Sequence, residues 1–377
     1  MKLRRIKAVA KKEFLHVIRD PRSLGLGIAI PMLLLFLFGY ALTLDVDKVP
    51  IIVWDQSVTS ASRDFISHFS GSRYFQVQKY TDNYREIERA IDRREARMAL
   101  VIPSDFARRI ESSGKARVQA ILDGSDSNTA TIVLGYADNV VQTYSRGVML
   151  EQARLYGMVN PSGQLDIRPR IWFNADMISR NYIFPGLIAV IMMVIAALLT
   201  SLTVAREWES GTMEQLISTP LKGPELIIGK LIPYFTIGLV DLVLAILVGQ
   251  FAFKVPLHGS ITLLFWLSLL FITGTLSLGI LISVVTKNQR VASQFALVST
   301  MLPAFLLSGF IFPIDNMPIL IRGFSHIIVA RYFVTILRGI YLKDVGLEIL
   351  GGEVLFLALF TVIMLALAFR KFRKKII

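Results

Sequence analysis

Six stretches of the chain are apolar for long enough to cross a bilayer, or nearly so. A spanning helix needs about 20 mainly apolar residues, because each rises about 1.5 Å and the hydrocarbon core is about 30 Å thick. Leu24–Leu44, Asn181–Ala205, Val255–Thr286 and Val291–Ile314 hold no Asp, Glu, Lys or Arg, and Leu231–Phe253 holds only Asp241. The sixth, Val354–Phe369, is short and must borrow length from Gly351 and Gly352 or from a thin bilayer. The first is too long for the apolar core of a cleavable signal peptide, and no small-residue cleavage site follows it. Ile319–Leu342 is also apolar, but Arg322, Arg331 and Arg338 are each costly at bilayer depth. The pattern there predicts two short helices broken near Ser325 and His326, a re-entrant segment over 316–342.

Between the first two runs the pattern changes to alternating strand and helix. Val49–Trp54, Tyr74–Lys79, Ala99–Ile102 and Val118–Leu122 read as strands. Ser60–Phe69 reads as a helix. A second helix is capped by Asp82, runs to Arg94 and carries a stripe of Ile87, Ala90 and Ile91; a third opens at Pro103 and Ser104 and runs to Ser112. Ser127 to about Tyr156 contains no proline and predicts one long helix, with a last strand at Ile167–Phe173. Asp123, Asp126, Asp138 and Asp166 lack the short alternating spacing of a calcium loop and read as loop and cap residues, and His68 reads as lying on a polar helix face.

The 377 residues are 54% hydrophobic and 18% charged, which excludes an ordinary soluble domain, and the absence of cysteine removes disulfides, thiolate metal sites and cysteine nucleophiles. A net charge of +13 raises the possibility of nucleic acid, and its distribution argues against it. With the N-terminus inside, segments 1–23, 206–230, 286–290 and 370–377 carry 18 Lys and Arg against 6 acids, while 45–180 carries 18 against 17. The excess lies on one membrane face, the positive-inside pattern, and no base-reading motif accompanies it. The fold class expected is a polytopic α-helical membrane protein of six transmembrane helices plus a re-entrant hairpin. Residues 1–23 form an interfacial amphipathic helix, 24–44 the first span, 45–180 an extracytoplasmic α/β domain, and 181–377 the remaining spans, with both termini cytoplasmic. In the N-terminal helix Ile6, Ala10, Phe14, Val17 and Ile18 share a face.

The richest motif follows the second run: Ala205-Arg206-Glu207-Trp208-Glu209-Ser210-Gly211-Thr212-Met213-Glu214-Gln215-Leu216-Ile217-Ser218-Thr219-Pro220. Thr212 caps a short helix that Pro220 ends, three glutamates sit in a basic setting, and Met213, Leu216 and Ile217 share one side. Such a helix fits a groove on another protein; a solvated turn is the alternative. This motif, the preceding Asn181-Tyr182-Ile183-Phe184-Pro185-Gly186, the later Leu307-Ser308-Gly309-Phe310-Ile311-Phe312-Pro313-Ile314-Asp315-Asn316-Met317-Pro318, and the opening Lys12-Glu13-Phe14 with Arg19-Asp20-Pro21-Arg22 resemble the permease subunit of ABC-2 type transporters over essentially the whole chain. The large segment after the first span resembles the drug-exporter branch with a periplasmic domain.

The resemblance implies a permease of the bacterial inner membrane that pairs with a second permease subunit, as homodimer or heterodimer, and with a cytoplasmic ABC ATPase, with an adaptor and an outer-membrane channel as possible further partners. Residues 206–220 would be the coupling helix, with Glu207, Glu209, Gly211, Thr212, Met213, Glu214, Gln215, Leu216 and Ile217 as the contact. No G-x-x-x-x-G-K-[ST] loop occurs in the chain, so ATP and Mg belong to the partner, and no catalytic, cofactor or metal residue is expected here. For the path of an amphipathic substrate the candidates are Phe36, Phe38, Tyr40 and Asp241. The aromatics equally suit an interface belt, and Asp241 a bond to a neighbouring helix. Thr273, Thr275 and Ser277, with Gly274 and Gly279, mark close helix packing. A dedicated exporter of lipid or envelope components, and a transport-inactive sensor with a ligand-binding outer domain, are the alternative functions.

Overall fold

The computed structural model describes residues 2–41, 48–113, 116–155, 173–174 and 178–372. The chain divides into a helical unit, 1–43 with 171–377, and a second unit, 44–170. Helix α1 (Leu3–Arg19) is followed by α2 (Pro21–Leu24), a π-helical turn (Gly25–Ala29) and α3 (Ile30–Ala41). The apolar helix Gly25–Ala41 is shorter than a usual span and ends where the described residues stop.

The second unit is an α/β domain. In chain order it contains β1 (Val49–Asp55), α4 (Ser60–Ser70), β2 (Phe75–Tyr80), α5 (Tyr84–Asp92), β3 (Met98–Ile102), α6 (Phe106–Ser113), β4 (Gln119–Leu122) and α7 (Ser127–Leu155). The sheet order is β2-β1-β3-β4, with β1 parallel to both neighbours and β4 antiparallel to β3. β3 is buried along its length, as a strand covered on both faces must be. On one face Val49, Ile51, Val53, Met98, Leu100 and Ile102 pack with Phe65, Phe69, Phe106 and α7. On the other, Ile52, Ala99 and Val101 meet Ile87 and Ala90 of α5.

The cap of α5 falls one residue later than the pattern suggests. Asn83, not Asp82, accepts the Arg85 N–H at 3.0 Å, because the Thr81 hydroxyl accepts the Asn83 N–H and donates to Glu86. Those contacts, Thr81 first and then Lys79, hold the Glu86 carboxyl below its ordinary range. His68 is exposed on α4, and the expected strand at 167–173 lies, apart from Phe173, outside the described residues, as does Asp166.

The helical unit continues with α8 (Ser179–Glu209), α9 (Thr212–Ser218), α10 (Gly223–Leu247, extended by the π turn Val248–Ala252), α11 (Ile261–Thr286), α12 (Gln289–Leu307), α13 (Ile319–Ser325), α14 (Val329–Lys343) and α15 (Leu347–Lys371). Five of these, α8, α10, α11, α12 and α15, are long and apolar enough to cross a membrane. The α13–α14 pair, bent by 83°, would make a sixth if it is one broken span. The chain is a polytopic helical membrane protein.

α8 is almost wholly enclosed and forms the hub, packed by α3, α10, α11, α12 and α14. Its closest neighbour is α11, where a Cβ on Gly279 would lie 2.1 Å from the Thr200 hydroxyl. Thr200 donates across to the Leu276 carbonyl, and Ser283 accepts the N–H groups of Val204 and Ala205. Thr275 and Ser277 are buried but bond back within α11, so the glycines set the spacing.

Two elements differ in length from their apolar runs. α11 starts at Ile261, not Val255, because the residues before it are tied to α14 as extended chain, with the His258 and Gly259 N–H groups on the carbonyls of Tyr341 and Ile340. α15 reaches back to Leu347, taking in Glu348, Glu353 and both glycines, and so gains the length that Val354–Phe369 lacks.

Candidate functional site

The basic end of the helical unit is organised around a buried lysine. Lys230, two turns into α10, is 1% exposed, and its ammonium lies 2.5 Å from the Glu13 carboxylate of α1 and 3.2 Å from Glu207 at the end of α8. Glu207 also takes Lys12 at 2.7 Å and the hydroxyl of Thr212, the first residue of α9. Two lysines and two glutamates thus form a network of zero formal charge, which is how buried charges are tolerated. It joins α1, the hub helix α8, α10 and α9 in one set of bonds. A second carboxylate anchors the start of α1: Glu225 accepts the N–H groups of Lys2 and Lys222 at 2.8 and 3.0 Å and faces Arg5. Arg206 adds contacts to Asp20 and His16.

Close packing makes this docking possible. A Cβ on Gly229 would fall 2.7 Å from that of Val9, so only glycine lets α1 lie this near α10. The face that α1 buries is Val9, Glu13 and Val17. The single apolar face expected of this helix is therefore divided: Val17 is buried, while Phe14 and Ile18 are 43% and 52% exposed.

The motif residues separate by role. Gly211 has φ +71°, a left-handed turn that reverses the chain between α8 and α9 and that a side chain would strain. Glu209 accepts the Gln289 backbone and amide N–H groups at 2.9 and 2.6 Å, binding α8 to the start of α12. Met213 is buried against the bundle, and Leu216 and Ile217 are half-buried on the same core, so this apolar side faces the chain's own helices. Glu214 and Gln215 are exposed. Of the three glutamates expected to present charge outward, Glu207 is neutralised internally and Glu209 is engaged with α12.

The substrate-path candidates do not meet. Phe36 and Tyr40 both pack against Phe253, at 5.9 and 4.9 Å, and Phe38 against Phe305 at 5.9 Å. Gly27 lies opposite Ile237 and Gly39 opposite Phe253, so Asp241 sits near the level of Pro31, roughly 8–14 Å along the helix from the aromatics. It is 5% exposed, and its Oδ1 has no hydrogen-bond partner among the described residues.

At the opposite end of the bundle Arg338 of α14 is held by the Tyr182 carbonyl and hydroxyl and the carbonyls of Gly309 and Phe310, at 2.8–3.2 Å, with its guanidinium 3.6 Å from the Tyr182 ring centre. Arg331 bonds Ser325 at the α13–α14 corner, and Arg322 pairs with Asp315 at 3.2 Å. The three arginines that make this stretch improbable as a simple span each have local partners.

Sequence reasoning missed Lys230, because trimming the apolar run to Leu231 removed it, and treated Glu13 only as part of a motif. The available signal was the spacing of Val9, Glu13 and Val17, which places a carboxylate in the middle of an apolar stripe.

A hub helix ringed by apolar helices, with an amphipathic helix and a short loop helix tied to its basic end, defines a multi-span helical membrane protein. The chain belongs to the ABC-2 transporter family: the model for the ABC-2 family transporter protein matches residues 22–370. It is 40% identical over 374 residues to the probable multidrug ABC transporter permease YbhS of Escherichia coli K12, covering 99% of this chain and 98% of that one. It is 30% identical over 372 residues to the probable multidrug ABC transporter permease YbhR of the same organism, covering 99% of each. The inner membrane transport permease YhhJ, also from that strain, is 25% identical over 333 residues, covering 87% and 86%. Membership makes the chain an ABC permease subunit, with ATPase activity in separate subunits, and implies an ABC ATPase and a permease partner.

Proposed function

We propose that the chain is the permease subunit of an inner-membrane exporter that moves amphipathic drugs or lipid-like molecules outward on ATP hydrolysed by a cytoplasmic partner. In this reading both termini and α9 are cytoplasmic, the α/β domain is periplasmic, and α13–α14 is re-entrant from the outer side. The charge asymmetry of the loops supports that orientation. The names of the similar permeases support the drug class. A periplasmic adaptor and an outer-membrane channel are natural continuations of the route.

The observation that carries the reading is the Glu13–Lys230–Glu207–Thr212 network, because a push on α9 meets an immediate, rigid connection to α8, α10 and α1. Glu214 and Gln215 are the groups that α9 offers a partner. The test is co-purification with the ATPase and substrate-stimulated hydrolysis in reconstituted membranes. Glu214→Lys should leave the protein inserted but lower both. Wild-type association and stimulation in that variant would remove α9 from the coupling role.

A further inference from the structure

One flank of the α/β domain is hollowed into a groove of about 590 Å³. Its floor is aromatic: Phe65, Phe106 and Tyr144 are nearly buried, with ring centres 5.5 and 5.0 Å from that of Phe65. Ile110, Val118 and Val148 wall it, and the rim carries Val141 and Met149, 37% and 54% exposed. A volume of this size lies within the roughly 300–1,000 Å³ of small-molecule sites, which combine apolar walls with a few orienting polar groups.

The polar groups are few and of one sign. The Tyr144 hydroxyl is directed to the Ala61 carbonyl at 3.3 Å, leaving Ser145 and Arg117. Among the described residues no acidic side chain lines the groove, and Arg117 is the charged one. A second cavity in the domain, beside Arg94 and Arg97, differs on both counts: it holds only about 180 Å³, and Asp123 and Asp126 share its lining with the arginines.

We infer that the 590 Å³ groove binds a single-chain amphipathic anion, its hydrocarbon on the Phe65–Phe106–Tyr144 floor and its acid at Arg117. The size favours one chain over a two-chain phospholipid, and the Arg117 guanidinium selects an anionic head over a cationic one. This site is separate from the coupling network and does not rest on the transport reading.

The experiment uses the complete protein in lipid nanodiscs and a diazirine-bearing dodecanoate, with a diazirine-bearing alkyl quaternary ammonium as its cationic match. Labelled peptides are mapped by mass spectrometry, and those of the transmembrane helices serve as an internal control for bilayer partitioning. The anion should label 106–118 and 141–149 saturably, and dodecanoate should compete. Arg117→Glu, on an exposed side chain, should shift the anion-to-cation labelling ratio at these peptides about tenfold toward the cation. Val148→Trp should fill the groove and lower labelling there without changing the transmembrane peptides. Unsaturable labelling, competition by phosphatidylglycerol but not dodecanoate, or a ratio unmoved by Arg117→Glu would each overturn the assignment.

Discussion

Lys230 is a buried charge whose two partners come from two other helices. Removing it leaves Glu13 and Glu207 facing each other in a nearly dry site, and breaking a buried ion pair from one side costs about 3–5 kcal/mol. Lys230→Met should therefore lower the unfolding temperature of the purified protein sharply. Glu13→Gln added to it should recover most of the loss, since Glu207 keeps Lys12 and no carboxylate is then stranded; a double variant as unstable as the single one would mean that the pairing is incidental. Arg338 makes a comparable case at the other end of the bundle. Its four bonds need the forked geometry of a guanidinium, so Arg338→Lys should fail to restore what Arg338→Met loses, a deficit of roughly 1.5–3 kcal/mol for a hydrogen-bonded charge. Thermal unfolding of the two variants side by side checks this.

Helix α9 divides into a part that belongs to the bundle and a part that is free. Met213→Asp places a charge where the chain is closed to water and should cost at least the roughly 1.5–3 kcal/mol of a buried apolar side chain, whereas Glu214→Lys, one residue on, should leave stability within about 0.5 kcal/mol. Comparing their unfolding temperatures tests the division independently of any partner. The same contrast explains what was legible beforehand. Helices and strands declared themselves because apolar periodicity reports burial directly, down to the long α7 and the break at Ser325–His326. The inner network did not, because Lys230 and Glu13 stand 217 residues apart and periodicity carries no information about which polar residue meets which. The same limit separates Asp241 from Phe36 and Tyr40, which share an apolar setting but not a depth. For the α13–α14 pair, cysteines replacing the exposed Asn316 and Lys343 should react with an impermeant reagent from the same side if the pair is re-entrant, and from opposite sides if it is one broken span.

At the scale of the molecule the absence of native cysteine makes orientation directly measurable. Ser125→Cys in the α/β domain should be labelled by an impermeant maleimide in spheroplasts, and Ser218→Cys at the end of α9 only after the membrane is opened; the reverse pattern would invert the topology. The docking of α1 also bears on how the protein is made. The groups that hold it, Glu225, Gly229 and Lys230, leave the ribosome some 200 residues after α1 does. Until α10 has been made, Glu13 has no Lys230 to meet, so α1 should dock only afterwards. Val9→Cys should react with a soluble maleimide in nascent chains stalled before residue 223 and be protected in chains stalled well beyond α10. Helix α1, though made long before α10, should thus reach its place only after it.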